Sequence, residues 1–141
     1  MFKELDKYTS NDHFFLTRKD ILSEVCNTPK TGIGVYLIYA LKDGKVELVY
    51  IGSAGKIKQD GTIMSSSEGI YDAIVNGGQS QSPQNFSLKE RVLAENIEAL
   101  DVYWYKTYDQ KQKDIPRVTQ SMIMEIFFHV HQRLPRWNDV F

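Results

Sequence analysis

Apolar positions crowd into two runs, Val35-Tyr36-Leu37-Ile38-Tyr39-Ala40-Leu41 and Val46-Glu47-Leu48-Val49-Tyr50-Ile51, separated by Lys42-Asp43-Gly44-Lys45. Short runs rich in β-branched and aromatic residues, bounded by turn residues, predict a β-hairpin. The loop length sets its register. A two-residue turn at Asp43-Gly44 pairs Lys42 with Lys45 and Tyr36 with Ile51, leaving Tyr50 on the face opposite Tyr36. A three-residue loop, Lys42-Asp43-Gly44 closed by a left-handed Gly44, pairs Leu41 with Lys45 and sets Tyr36 directly opposite Tyr50. The second register is the one expected here. Both hairpin faces are apolar near the glycine ends, so helices should cover both.

Elsewhere the punctuation predicts helices. Thr17, followed by Asp20, suits a cap for a short helix over Ile21–Val25. Ser67–Asn76 reads as a short helix stopped by Gly77. Ser87-Leu88-Lys89-Glu90 is a capping box for a helix reaching about Ala99. Asp101–Tyr108 has strand propensity and should add a third strand. The last helix should begin after Asp114, with Pro116 in its first turn, and run to His131, with Pro135 beyond it. The expected architecture is α+β, a small three-stranded antiparallel sheet flanked by helices. Residues 1–31 would be a helical extension and 32–138 the core of a single domain.

Length and composition agree with that. The 141 residues are 42% hydrophobic and 25% charged, which suits one globular domain. No apolar run approaches a membrane span, and the N-terminus is too polar for a signal peptide, so a cytoplasmic protein with no membrane partner is expected. Cys26 is the one cysteine, and no Cys/His cluster suggests structural zinc. A net charge of −1 weighs against tight, non-specific DNA binding, which needs many cationic contacts to phosphates.

Few residues offer chemistry. Glu125 stands between Met122-Ile123-Met124 and Ile126-Phe127-Phe128, so it reads as buried. A buried carboxylate must pair with a core arginine, bond a tyrosine, or hold a hard divalent ion. Tyr36 and Tyr50 are core aromatics or a reactive pair. His129 and His131, two apart on a helix, point to different sides and are unsuited to joint metal binding. Gly52-Ser53-Ala54-Gly55-Lys56 is a plain turn or an anion-binding nest of backbone amides, and it lacks Walker spacing.

Gly34-Val35-Tyr36, Tyr50-Ile51-Gly52, Met124-Glu125 on a helix and Leu134-Pro135-Arg136-Trp137-Asn138 together resemble the GIY-YIG nuclease family. The resemblance spans roughly residues 32–138. It implies a metal-dependent endonuclease that hydrolyses phosphodiesters in nucleic acid, DNA in the first instance. Tyr36 would be the base or relay that activates water, and Tyr50 would orient nucleophile or phosphate. Glu125 would bind Mg²⁺ or Mn²⁺, and Asn138 would support the site by hydrogen bonding. Ser53, Lys56 and Lys58 are the candidate substrate-binding residues. The chain departs from the family in the helix after Tyr50-Ile51-Gly52, which lacks the expected arginine. Ala73 occupies its place, and Gly78 stands near where an aromatic or histidine partner would follow. Losing such an electrostatic stabiliser typically costs about 10²–10³ in rate. Lys56, Lys58 or Arg91 are spatial substitutes to look for.

Three hypotheses follow: a nuclease with a rearranged site; a silent relative binding nucleic acid or a protein partner through the same cleft; and an interaction module built on Tyr103, Trp104, Tyr105, Tyr108 and Trp137. A homodimer is also compatible with the sequence.

Overall fold

The computed structural model describes residues 2–65, 67–77 and 87–141. Gly78 and most of the polar stretch from Gly77 to Asn85 lie outside the described residues. The strands are β1 (Asn11–Thr17), β2 (Gly34–Lys42), β3 (Lys45–Ala54) and β4 (Ala99–Lys106). They form one antiparallel sheet in the order β1-β4-β2-β3. The helices are α1 (Leu22–Val25), α2 (Ile70–Asn76), α3 (Leu88–Ala94) and α4 (Pro116–His131), preceded by a 3-10 turn at Lys3–Leu5.

The sheet thus has four strands, where the sequence suggested three. The fourth comes from the segment expected to be helical, since Asn11–Thr17 pairs with β4 from Asn11↔Tyr105 to Thr17↔Ala99. Phe14 and Leu16 give this strand a buried side. Thr17 caps no helix. Its N–H and hydroxyl both donate to the Asp20 carboxylate at 2.9 Å, closing the turn that leaves β1.

The hairpin loop is also corrected. Lys42 pairs with Lys45, and Asp43 (φ 53°) and Gly44 (φ 73°) are both left-handed, so the loop has two residues in a type I′ turn. That register holds to Tyr39↔Leu48 and then shifts to Ile38↔Tyr50 and Tyr36↔Gly52. Val49 is the extra residue of a β-bulge. Tyr36 is therefore not opposite Tyr50, yet the bulge returns Tyr50 to the face that carries Tyr36. The expected juxtaposition exists by a different route.

Each face has its own core. Against one lie α2 and α3, with Phe14, Leu16, Tyr36, Ile38, Val49, Val102 and Trp104 packed on Ile70, Ala73, Ile74 and Val92. Against the other lie α4 and the 3-10 turn, where Val35, Leu37, Leu48 and Ile51 meet Ile123, Met124, Phe127, Leu5 and Tyr8. Side chains fully removed from water, such as Leu100 and Ile123, each contribute about 1.5–3 kcal/mol before conformational entropy is subtracted. Three of the expected boundary signals hold, although α3 stops at Ala94 and Ala99 already belongs to β4. Ser87 accepts the Glu90 N–H at 3.1 Å, Gly77 closes α2 at φ 75°, and Pro116 opens α4.

A Cβ on Gly44 would meet no atom within 4 Å, so only the backbone angle penalises a substitution there. Gly44→Ala should lower the unfolding free energy by about 1 kcal/mol, while Gly44→Asn should retain most of it, as read by urea denaturation.

Candidate functional site

The tyrosine pair lies in the layer under α2 and α3. The ring centroids of Tyr36 and Tyr50 are 5.9 Å apart, and Tyr36 is only 4% exposed. Gly52 explains their closeness. A Cβ there would land against Tyr36 Cζ and within 2.7 Å of both the Tyr36 hydroxyl and Tyr50 Cε2. The glycine of Tyr50-Ile51-Gly52 is therefore a space requirement of the two rings.

Burial pushes the Tyr36 phenol well above its ordinary range, and Tyr50 beside it adds to the effect. Tyr50 is raised by burial too, and is drawn partly back by its hydrogen bond with Tyr36 and by the guanidinium groups of Arg91 and Arg117. At neutral pH both phenols stay protonated. Tyr36 can hold a hydrogen bond, but it is further from serving as a base than a free tyrosine.

Ala73 is buried in the same cluster as Tyr36. An arginine at that place would have to push into apolar packing. The cations whose charge acts on Tyr50 come from elsewhere: Arg91 on α3, 4.8 Å over the Trp137 ring, and Arg117 on α4, 4.6 Å over Phe141. Arg91 is one of the anticipated substitutes; Arg117 is not.

Glu125 does not occupy the buried position expected of it. Its side chain is 73% exposed, and it pairs with His129 one turn along at 3.3 Å. α4 covers the sheet face opposite the tyrosines, and Glu125 points away from that face. Two polar residues of α4 face inward, Thr119, which bonds the Tyr8 hydroxyl at 3.1 Å, and Gln120. Its Oε1 accepts from Ser53 Oγ at 2.6 Å, and its Nε2 donates to the Ile51 carbonyl at 3.2 Å. Gln120 falls on the stripe of Pro116, Thr119, Ile123, Met124 and Phe127, and that spacing could have singled it out.

Asn138 acts on backbone. Its Oδ1 accepts the Ile51 N–H and its Nδ2 donates to the Ile51 carbonyl, both at 3.0 Å, while Trp137 N–H donates to the Val49 carbonyl at 2.8 Å. The C-terminal segment so pairs with the open edge of β3. Ser53 is turned to α4. Lys56 and Lys58 are exposed on a small hairpin held by Met64 N–H to the Lys56 carbonyl and Lys58 N–H to the Thr62 carbonyl, each at 2.8 Å. Among the described residues, no group of three or more His, Cys, Asp or Glu converges. The structure therefore brings together Tyr36 and Tyr50, sets Arg91 where its charge acts on Tyr50, ties Asn138 to β3, which carries Ser53, and leaves Glu125 apart.

Gly52→Ala should force the rings apart and cost about 1–3 kcal/mol in chemical denaturation. The buried phenols also predict a pH dependence. Their folded pKa values lie above the unfolded value near 10, so the stability they contribute is fully present below about pH 10 and is lost as pH rises through the folded pKa. Tyr105, pushed up to about 12 mainly by burial, acts in the same direction. Absorbance at the phenolate band should lag free tyrosine and then rise with cooperative unfolding, and Tyr36→Phe should shift that unfolding to higher pH.

No protein-family model matches the chain, nor does any curated protein or solved structure.

Proposed function

We propose that the chain is a GIY-YIG-like module that binds nucleic acid and does not cut it through a Glu125 metal centre. The observation that carries this reading is the separation of the exposed Glu125 from the buried tyrosines, on opposite sides of the sheet. The protonated state of Tyr36 and the alanine in place of the family arginine support it further. Arg91 and Arg117 act on Tyr50 through their charge, and a guanidinium suits a phosphate because it pairs with phosphate oxygens in fixed geometry.

Hydrolysis with Mg²⁺ or Mn²⁺ is the second reading. The same two arginines favour it, since either could supply the charge that the helix lacks.

Supercoiled plasmid and single-stranded DNA incubated with the protein and Mg²⁺ or Mn²⁺ should stay intact. Fluorescence anisotropy at low salt should show oligonucleotide binding that weakens with salt, with a log–log slope of about −0.7 per phosphate contact. Metal-dependent cleavage lost in Glu125→Ala or Tyr36→Phe would overturn the reading in favour of the second. Absence of binding at low salt would overturn both.

A further inference from the structure

Beyond the tyrosines on the same sheet face lies Lys106, opposite Gly34 and two residues along β4 from Trp104, which pairs with Tyr36. Its stem runs along Gly32, where a Cβ would sit 3.1 Å from both Lys106 Cγ and Cδ. The absence of a side chain at Gly32 lets the lysine lie along the backbone there.

Lys106 lines an open cleft of about 410 Å³ together with Thr31, Thr62, Tyr108, Asp109 and Lys113. That volume falls in the range of small-ligand sites. The walls are braced. Tyr108 donates its hydroxyl to the Gly61 carbonyl at 2.5 Å, joining the 108–113 turn to the loop after β3. Tyr108 also bridges Lys113, whose Nζ stands 5.0 Å over its ring. The acid in the lining, Asp109, is turned into its own loop, where Oδ1 accepts the N–H groups of Lys111 and Gln112 at 2.8 and 2.9 Å. Asp109 stays ionised, lowered chiefly by the loop N–H groups and also by the Lys106 charge, so two ammonium groups against one carboxylate leave the cleft a single net positive charge beside two threonines.

We infer that this cleft receives a phosphate of a nucleic acid, held between Lys106 and Lys113. The inference rests on the nucleic-acid reading above and gives it a location separate from Arg91 and Arg117.

Binding of a fluorescent single-stranded oligonucleotide is measured for the wild type, Lys113→Gln, the pair Lys106→Gln with Lys113→Gln, and Lys45→Gln at the far hairpin tip as control. The double variant should lose about tenfold in affinity at low salt, and its salt slope should fall by about 1.4, two contacts' worth, with the control unchanged. Lys113→Gln alone, on an exposed turn, should show about half that slope change and keeps the test valid if the double variant misfolds. Wild-type binding that neither variant alters would overturn the cleft while leaving the nucleic-acid reading in place. A wild type that binds no oligonucleotide would overturn both. Inorganic phosphate or a nucleoside monophosphate that competes as well as an unlabelled strand would overturn the strand assignment and mark a free-phosphate pocket.

Discussion

An extra residue at Val49 decides which side chains this sheet can present together. In a hairpin closed by a two-residue turn, strict alternation would send Tyr50 to the face covered by α4 and turn Ile51 toward α2 and α3. The bulge cancels that slip. Val49 and Tyr50 both enter the α2/α3 layer, while Ile51 and Ser53 meet α4. The rest of this edge is built on the same irregularity. The Val49 carbonyl accepts Trp137 N–H, Asn138 then pairs with Ile51, and Arg91 stacks on Trp137. Sheet register, C-terminal segment and α3 are one mechanical unit.

Much of the framework was legible because it is encoded locally. A serine three residues before Glu90, a glycine after Asn76 and a proline at the start of α4 act through their own backbone geometry, and each element begins or ends where they stand. The loop was misread in spite of its local signal, since Asp-Gly favours the type I′ turn that occurs. The bulge leaves no such signature, as its hydrogen-bonding partner lies 88 residues away at Trp137. β1 escaped for another reason. Polar Asn11-Asp12-His13 opens it, and Phe15 is 49% exposed, so the alternation that marks a half-buried strand is broken from both directions. The strand exists because β4 offers an edge that Phe14 and Leu16 can cover.

Glu125 shows where composition misleads about burial. Three apolar residues on either side suggested a helix buried all round, but a helix selects by angle. Val118, Phe128 and Val130 are exposed large hydrophobics on this same helix, which is ordinary for protein surfaces. The informative residue was the amide on the inward stripe, Gln120. A neutral amide there can satisfy both Ser53 and the Ile51 carbonyl without the desolvation cost of a carboxylate. The candidate site was thus half readable. The tyrosines stand on the two expected strands and Asn138 bonds to the backbone of the second, while the acid and the arginines were matters of helix rotation and chain packing.

Net charge is an equally poor guide to what this surface attracts. A formal charge of −1 counts every carboxylate as a free anion. Several are instead bound to nearby donors. Asp20 is held by Thr17, Asp60 by Thr62 and Asp109 by its own turn, and each is lowered from its ordinary carboxylate range chiefly by those hydrogen bonds. Asp114 is likewise lowered, first by Lys7 and then by Tyr8. These carboxylates remain ionised, but their charge is directed into backbone N–H groups, hydroxyls and one ammonium. Arg91, Arg117, Lys106 and Lys113 stand over aromatic rings or along a glycine, with their charged ends carried by apolar supports. The field close to the sheet edge is therefore set by where the acids spend their hydrogen bonds and where apolar supports hold the cations, neither of which a net charge of −1 reveals.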